Sequence, residues 1–451
     1  MVPPKDHPSR LVGGRQRMTV DDSHSLTGIV ESYGRFVPQQ FLRLLGKDSI
    51  TEVSLGDHVE RTMTVLFSDI RDFTPLSESM TPQQIFGFIN SYLSTMEPAV
   101  CAHGGVIDKY IGDAIMALFP DGADAAVGGA IDMLHALAQL NHAREDDGAP
   151  PVRIGIGLNT GVMMLGTVGG PQRMEGTVIS DAVNLGARIE SLTKLYGIPL
   201  LISEHTYYAL VHPEQHDIRF IDRVRVKGKE QPESVYEIYD AAPADTRAAR
   251  NRVQPVFEEG VAQYHLKNIG ESRRLLTQVL DACPDDPVTE VYLARCERYE
   301  STGVHEGTGE IDLDLRWRTS LEIAHPQIDA QHRGLFARAQ EFVEAMRSSE
   351  GHAEVATGME SLAQAVVCHF RDEERFMAEA NYPFLSMQKQ QHARFLKCFA
   401  ELKKEIGSDF NRRRFCFLFR MQVLLVDWLI NHTSRLDGHF GKHLRLMEST
   451  D

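Results

Sequence analysis

The sequence of 451 residues lacks a long hydrophobic run. No stretch reaches about 18 uninterrupted apolar residues, the length that a membrane-spanning helix needs. The segment FCFLFRMQVLLVDWLI is broken by Arg420 and Asp427, and the N-terminal stretch MVPPKDHPSRLVGGRQRMTV has no apolar core of the kind found in secretory signals. We therefore predict a cytoplasmic protein without a membrane segment.

Positive charge is also scarce. Lys and Arg together number 47 against 63 Asp and Glu, which gives a formal net charge of −16. The phosphates of nucleic acids and of anionic membranes would repel a surface with this average charge. The composition argues against a general binder of nucleic acid or membranes.

Cysteine is infrequent and unpatterned. The six cysteines include no CxxC pair and lie at Cys101, Cys283, Cys296, Cys368, Cys398 and Cys416. This scatter predicts reduced core residues and excludes a disulfide framework or a thiolate zinc site.

The residues that are present indicate several domains in succession, because a chain of this length is long for one core. We predict a disordered N-terminus with a helical connector over residues 1–59, an α/β domain over 60–242, a helical spacer over 248–302 and an antiparallel four-helix bundle over 313–447. Short Val/Ile/Leu runs that alternate with amphipathic segments predict the α/β domain. Four long helical patterns with short connections predict the bundle.

The spacer resembles tetratricopeptide-type repeats, with Gly260, Tyr264 and Pro284 at matching places. Its length allows about one and a half helical hairpins, which is shorter than a stable array. We therefore expect it to dock on its neighbours and not to bind peptides by itself.

Two carboxylates stand at strand ends of the α/β domain. The apolar run in VLFSDIRDF ends at Asp69, and DKYIGDAIMALF reads as a hairpin with Asp113 at its tip. Carboxylates on adjacent strand ends suit a Mg²⁺ or Mn²⁺ site that binds phosphates. Taken singly, a cap at Asp69 and a turn at Asp113 are the commoner explanations.

Further motifs favour the metal site. FSDIRDFT, DKYIGDAIMALF, RIGIGLNTG, GTVISDAVNLGARIE and VKGKE resemble the catalytic domain of class III nucleotidyl cyclases, in order and in spacing, across roughly residues 60–240. The resemblance implies a ferredoxin-like sheet covered by helices. It also implies that Asp69 and Asp113 hold two Mg²⁺ or Mn²⁺ ions, that Asn184 orients the ribose, and that Arg188 neutralises charge on the α-phosphate.

The same resemblance assigns the substrate. Lys227 in VKGKE and, by a weaker match, Arg153 would bind phosphates, while Lys109 and Thr177 would read the base. In this family a lysine paired with an acid or a threonine reads adenine, because lysine can donate to N1 and the hydroxyl can accept from the amino group. ATP is therefore the expected substrate, and Thr177 in place of the commoner acid leaves room for relaxed base selection.

The family places the metal aspartates on one protomer and the base-reading and transition-state residues on its partner. The present sequence contains both sets in one domain. The resemblance therefore implies a homodimer with two equivalent composite sites.

The bundle contains the stretch HFRDEERFM, in which His369 and Glu373 share a helix face. Alone, a solvated charge stripe would be the commoner explanation. Similar residues recur on the other predicted helices: His332 in IDAQH, His392 in QKQQH, and His432 and Asp437 in WLINHTSRLD. One or two inward ligands from each helix is how di-iron sites are built in bundles, so the pattern predicts a metal centre.

Residues 313–447 resemble hemerythrin, and specifically its bacterial relatives, through Trp317 and the motifs just quoted together with YPFLSMQKQQHARF. The resemblance implies a non-haem di-iron centre that binds O2 or another small iron ligand. His332 and His369 would bind one iron, His392 and His432 the other, and the carboxylates of Glu373 and Asp437 would bridge them.

Gln388 departs from the hemerythrin pattern, which has histidine at this place. Glutamine is either a weak carbonyl ligand or leaves a position open to water, and in both cases it makes the second iron less electron-rich. Simple O2 storage is therefore disfavoured, and redox sensing or the loss of one iron stays open.

Together these features predict an adenylyl cyclase whose output is set by an O2-responsive or redox-responsive di-iron bundle. Two alternatives stay open. One is an O2-binding or iron-binding protein in which the cyclase domain is a dimerisation platform, and the other is a constitutive cyclase with a structural bundle. The complete set of Asp69, Lys109, Asp113, Asn184 and Arg188 argues against an inactive cyclase domain.

Overall fold

The structure is a computed structural model that describes residues 39–78, 80–170, 173–224, 233–303, 317–323, 325–347, 352–405, 421, 424–425, 428–430 and 432–448. The predicted disordered N-terminus, most of the helical connector, Lys227 and Cys416 lie outside the described residues. No helix among the described residues is long and apolar enough to cross a membrane.

The chain divides into two compact units. In the smaller unit, residues 39–59 pack with Gly166–Gly176. It contains helix α1 (Gln39–Leu44) and a 3-10 turn at Ile50–Glu52. Gly46, two residues after the end of this helix, adopts a left-handed φ of 71°, which is typical of a residue that ends a helix. The larger unit comprises Glu60–Leu165 and Thr177–Asp451.

Eight strands of the described residues form one mixed sheet. The strands are β1 (His58–Ile70), β2 (Val106–Ile111), β3 (Ala114–Phe119), β4 (Ile154–Gly170), β5 (Arg173–Ile179), β6 (Leu200–Ser203), β7 (Ile218–Val224) and β8 (Glu233–Ile238). Their order is β2-β3-β1-β4-β6-β8-β7, and β5 pairs with β4. Antiparallel pairing of β1 with β3 sets Ser68 opposite Ile115, so the end of β1 meets the start of β3.

Helices cover this sheet: α2 (Phe73–Glu78), α3 (Pro82–Ala102), α4 (Ala123–Asp146), α5 (Asp181–Tyr196) and α6 (Glu204–Ala209), with a 3-10 turn at Pro213–Gln215. Helix α3 begins at a capping box in which Thr81 and Gln84 satisfy each other's backbone N–H groups. Apolar residues of α3 and α4, including Tyr92 and Val127, pack in one core with Leu66 and Ile156 of the sheet. The predicted α/β class is confirmed.

The spacer consists of α7 (Ala244–His265), α8 (Ile269–Ala282) and α9 (Pro287–Thr302). As expected, it docks on the sheet. Phe257, Tyr264 and Tyr292 share a core with Ile221 of β7 and Val235 of β8.

The C-terminal region is all-helical, as predicted. After a 3-10 turn at Thr319–Leu321 follow α10 (Pro326–Arg347), α11 (His352–Glu379) and α12 (Leu385–Glu405). A π-helix at His432–Asp437 then leads into α13 (Gly438–Glu448). Its main core includes Phe336, Phe370, Phe395 and Trp428, and Tyr208 of α6 joins it from the α/β domain.

The prediction of uniformly buried cysteines is wrong for two positions. Cys283 and Cys296 are buried and Cys398 is half-buried, but Cys101 and Cys368 are exposed. Both exposed cysteines lie on amphipathic helices, where the sequence pattern leaves a small apolar residue at the edge of the buried face. All five are free thiols.

Candidate active site and metal centre

The paired aspartates come together at the end of β1. Asp113 follows Gly112, whose left-handed φ of 67° allows the tight turn between β2 and β3. Partial burial, together with the charge of Asp69 that acts on Asp113, raises the pKa of Asp113 to about 6. Two carboxylates that repel each other in this way form a site that a divalent cation would stabilise.

The predicted base-reading residues also meet. The ammonium of Lys109 on β2 donates to the hydroxyl of Thr177 on β5 across 3.3 Å. Asp108 Oδ2 lies 3.4 Å from the same ammonium. Lys109 and Thr177 are half-buried, so a flat ligand can reach both.

Asn184 and Arg188 lie four residues apart on α5, which Ser180 caps by accepting from the N–H of Ala182. Asn184 is exposed and Arg188 is half-buried. Within the described part of one chain, neither side chain forms a hydrogen bond or ion pair with the paired aspartates. Among the described residues of a single chain, the predicted site residues therefore lie in separate groups.

Arg153 lies beside the end of β1. Its carbonyl accepts from the N–H of Arg71, and its exposed guanidinium donates to Asp72 across 3.2 Å. Through these contacts with Arg71 and Asp72, the structure places Arg153 next to the strand end that contains Asp69. The second expected phosphate-binding residue, Lys227, lies outside the described residues.

The centre of the bundle brings together all six residues expected there, each of them buried: His332, His369, Glu373, His392, His432 and Asp437. Their ligand atoms form two overlapping groups, within 4.8 Å in each, of which one is His332, His369, Glu373 and Asp437 and the other is Glu373, His392 and His432. Asp437 faces both groups, since Oδ2 is 3.2 Å from His332 Nε2 and Oδ1 is 3.2 Å from His432 Nε2.

A π-helix makes this arrangement possible. His432 and Asp437 are five residues apart, and on an α-helix they would point about 140° away from each other. Residues 432–437 adopt π-helical geometry, in which hydrogen bonds join residues five apart and side chains at that spacing align. Both side chains consequently point into the bundle.

The buried atoms fit a cation. Both ring nitrogens of His332, Nε2 of His369, both oxygens of Glu373 and Oδ2 of Asp437 have no hydrogen-bond partner among the described residues. Buried polar atoms in proteins are nearly always paired, so a cluster of unpaired nitrogen and oxygen ligands requires another partner. Imidazole and carboxylate donors in this number suit iron.

Three polar residues around the centre escaped the sequence analysis. Gln331 lies 3.1 Å from Nδ1 of His369 and in turn donates to Asp372, while Glu374 lies 2.8 Å from Nδ1 of His392. Such contacts fix the orientation of metal-binding imidazoles. Asp372 and Glu374, the acidic residues on either side of Glu373, therefore help to orient the imidazoles of the centre. The signal for them in the sequence was their position one residue before and one residue after an expected ligand.

Gln388 is fully buried at the same centre. Its Nε2 donates to Oδ1 of Asp437 across 3.0 Å, and its Oε1 has no partner among the described residues. The side chain thus positions Asp437.

Comparison with known proteins agrees with this geometry. Residues 57–239 match the family model of the adenylate and guanylate cyclase catalytic domain. These residues are a cyclase catalytic domain. The chain is 45% identical over 221 residues to "Adenylate cyclase" of Anabaena cylindrica, covering 48% of this chain and 44% of the relative.

A second relative, "Adenylate cyclase, terminal-differentiation specific" of Dictyostelium discoideum, is 36% identical over 268 residues, covering 58% of this chain and 12% of the relative. The chain therefore spans less than half the length of these curated relatives. Among solved structures, the adenylyl cyclase CyaB from P. aeruginosa is 33% identical with a TM-score of 0.38, covering 41% of this chain and 96% of that one.

Residues 324–444 match the family model of the hemerythrin HHE cation binding domain. The C-terminal bundle is thus a hemerythrin domain, and the resemblance inferred from the sequence is confirmed for both regions.

Proposed function

We propose that the protein is an adenylate cyclase that converts ATP into 3',5'-cyclic AMP and pyrophosphate in a homodimer, and that a non-haem di-iron centre in its hemerythrin domain sets the rate. The observation that carries the catalytic part is the meeting of Asp69 with Asp113 within a cyclase domain. The contact of Lys109 with Thr177 supports the base-reading part.

The chemistry follows from these groups. Two divalent cations, Mg²⁺ or Mn²⁺, held by Asp69 and Asp113 would supply charge that activates the ribose 3'-hydroxyl and neutralises the phosphates. The hydroxyl loses its proton and attacks the α-phosphate, and pyrophosphate leaves. Lys109 donates to N1 of adenine, and the Thr177 hydroxyl accepts from the amino group, which selects ATP over GTP.

The remaining residues act on the sugar and phosphates. Asn184 orients the ribose through its amide. Arg188 places positive charge where the transition state gains negative charge on the α-phosphate. Arg153 and Lys227 hold the terminal phosphates. Asn184 and Arg188 form no hydrogen bond or ion pair with Asp69 or Asp113 among the described residues of one chain. This separation supports a composite active site in which Asn184 and Arg188 act on the partner's aspartate pair.

Complementation tests the composite site. Asp69→Ala and Asn184→Ala chains should each be inactive alone, and their mixture should recover up to one working site per heterodimer. Asp132→Ala, which removes an exposed carboxylate on α4, is the matched control and should keep full activity. A mixture as inactive as either parent would contradict the composite dimer, whereas wild-type activity with GTP but not ATP would contradict the base assignment.

The di-iron part rests on the unpaired buried ligand atoms. His332, His369, His392 and His432 would hold two irons, with Glu373 and Asp437 between them. Iron in such a site would bind O2 or change oxidation state. Helix α12 would transmit the change to the cyclase domain, because it contains both His392 and Met387. The sulfur of Met387 accepts a hydrogen bond from the hydroxyl of Thr62 on β1.

A rate comparison tests the regulation. We expect cyclic AMP formation by the iron-loaded protein to differ several-fold between the anaerobic reduced state and the air-exposed state, and His369→Ala to abolish the difference. Equal rates in the two states would favour the alternative of a constitutive cyclase with a structural bundle. Iron binding without any cyclase activity would favour the alternative of a dimerisation platform. The cytoplasmic location stays a prediction.

A substitution at Gln388 tests the assignment of the iron ligands further. We expect Gln388→His to raise the iron content per chain and slow autoxidation, because a third imidazole binds the second iron more tightly than an amide. Glutamate at the neighbouring exposed position, Lys389→Glu, is the control. Iron content and the rate of absorbance change in air are the measurements, and an unchanged iron content would contradict the proposed role of position 388.

A further inference from the structure

Strand β2 is irregular directly beside the lysine that is expected to read the base. Ile107 lies opposite Ala117 of β3, whereas Lys109 lies opposite Met116, the next residue along β3. Asp108 is therefore an extra residue on β2, and its insertion shifts the register of the two strands. An extra residue of this kind forms a β-bulge, and bulges beside active sites change the direction of the side chains that they contain.

The bulge brings the side chains of Asp108 and Lys109 together. In a regular strand, successive residues point to opposite faces of the sheet, so two neighbours do not form an ion pair on one face. Here Oδ2 of Asp108 lies 3.4 Å from Nζ of Lys109. The extra residue thus places a carboxylate beside the ammonium that the next residue presents.

The two side chains differ in exposure. The side chain of Asp108 is 2% exposed, and that of Lys109 is 32% exposed. A side chain packed in the interior has a fixed position, whereas lysine has a flexible stem of four carbons. Asp108 is therefore the fixed member of the pair, and the position of the ammonium of Lys109 depends on it.

A second contact acts on the same ammonium from another strand. Nζ of Lys109 donates to Oγ1 of Thr177 on β5 across 3.3 Å. The carboxylate of Asp108 and the hydroxyl of Thr177 therefore both hold the ammonium, one from β2 and one from β5. We propose that Asp108 is a positioning residue for base selection, whose carboxylate fixes the ammonium of Lys109 where it donates to N1 of adenine. This inference rests on the proposed function, in which Lys109 reads the base.

The chemistry of the two purines explains why the position of the ammonium matters. N1 of adenine accepts a hydrogen bond, whereas N1 of guanine carries a hydrogen and cannot accept from an ammonium. Guanine instead offers the oxygen O6 beside N1 as an acceptor. A mobile ammonium can move from the N1 position to O6 and so bind either base, but an ammonium fixed by Asp108 cannot. Loss of the carboxylate should therefore weaken the binding of adenine more than that of guanine.

Nucleotide binding tests this inference independently of the reaction. The ligands are 3'-deoxy-ATP and 3'-deoxy-GTP with Mg²⁺, because they lack the attacking hydroxyl and cannot be cyclised. Calorimetry on the full-length protein gives a Kd for each, and the ratio of the two Kd values measures the base preference. We expect the wild type to prefer the adenine nucleotide. Asp108→Asn, which removes the charge at nearly constant size, should reduce this preference by about fivefold or more.

Further variants separate positioning from a structural role. Asp108→Glu keeps the charge and moves the carboxylate by one methylene, so its preference should lie between those of the wild type and Asp108→Asn. It also decides the question if Asp108→Asn does not fold. Asp147→Asn, at an exposed carboxylate after the end of α4, is the matched control and should bind both nucleotides as the wild type does. Thermal unfolding of each variant reports on its fold.

A double-mutant cycle shows whether Asp108 acts through Lys109. In a Lys109→Met chain no ammonium remains to be positioned, so adding Asp108→Asn should leave the ratio of the two Kd values unchanged. A further change of the ratio in this background would mean that Asp108 acts on the base by another route, and it would overturn the inference.

The other outcomes are equally distinct. If the wild type prefers adenine and the folded Asp108 variants keep its preference, the inference is wrong and the base assignment of Lys109 stands. If Asp108→Asn weakens both nucleotides by the same factor, its role is structural and the inference is again wrong. A wild type that binds both nucleotides equally, or neither of them, would overturn the inference together with the proposed reading of the base.

Discussion

The cyclase domain has two neighbours in the chain, and the two joints are built differently. Against the spacer, strand β7 contributes Arg219 and Asp222, which pair with Asp286 and Arg295 of the α9 region. Each of these four groups is buried and has a partner of opposite charge. Against the hemerythrin domain, the joint contains the unpaired Arg394, the exposed pair of Lys397 with Glu214, and a large cavity.

The difference assigns different roles to the two joints. A fully paired buried network is strongly destabilised when one partner moves away, so the spacer behaves as a rigid extension of the sheet. A joint that contains a cavity and few fixed contacts can more readily adopt two arrangements of similar free energy. We therefore expect changes at the iron centre to act on the cyclase domain across the hemerythrin joint.

The largest expected effect is on the spacer joint. Arg295→Met leaves Asp222 buried without its cation, and we expect a loss of about 3–5 kcal/mol in the free energy of unfolding. Urea titration is the measurement. Arg273→Met, which removes the exposed ion pair with Glu300 in the same spacer, is the control and should cost less than about 1 kcal/mol. Similar losses in both variants would mean that burial of the network is unimportant.

The second largest expected effect is that low pH lowers the stability of the same joint. Although burial works in the opposite direction, the charge of Arg295 holds the pKa of Asp222 below its ordinary value of 3.8, and Arg219 does the same for Asp286. Because the folded pKa values are lower than the unfolded ones, the stabilisation is present above the ordinary value and is lost as the pH falls below it.

The acid prediction is checked by urea titrations at successive pH values. The slope of stability against pH below the ordinary carboxyl value should be smaller in Asp222→Asn than in the wild type. An equal slope in both proteins would show that Asp222 has the same pKa in the folded and unfolded states.

Hydrogen exchange compares the two joints in one experiment. Backbone amides of α9 should exchange only with global unfolding, because its ion pairs and core residues are buried. The amide of Leu210 and those of α12 near Arg394 should exchange faster through local opening. Equal protection of the two joints in the free protein would remove the contrast between them.

The sequence predicted much of this structure because local rules decide it. Gly112 fixed the turn that presents Asp113, and the spacing of four residues placed His369 and Glu373 on one face. Residues five apart share no face on an α-helix, so the alignment of His432 with Asp437 required knowledge of the π-helix. From the sequence, that alignment follows only from the family resemblance.

Contacts between secondary-structure elements could not be predicted from the sequence, and the reason is physical. Arg219, Arg295 and Arg394 are all cations on amphipathic or strand patterns, and nothing local distinguishes them. What faces each one depends on which elements pack together, and that decides whether a buried arginine is paired with a carboxylate or not. The role of Gln331 beside His369 was hidden for the same reason, since it joins two helices.

The smallest expected effect concerns the exposed pair of the hemerythrin joint. Lys397 donates to Glu214 across 2.9 Å and lowers the pKa of Glu214 to about 2, yet both side chains are about half exposed. Solvent screens such pairs, so Lys397→Ala should leave the free energy of unfolding unchanged within error. Urea titration of Lys397→Ala against the wild type at low and at high salt is the measurement. If this variant were as destabilised as Arg295→Met, the hemerythrin joint would be as rigid as the spacer joint, and regulation across it would need another route.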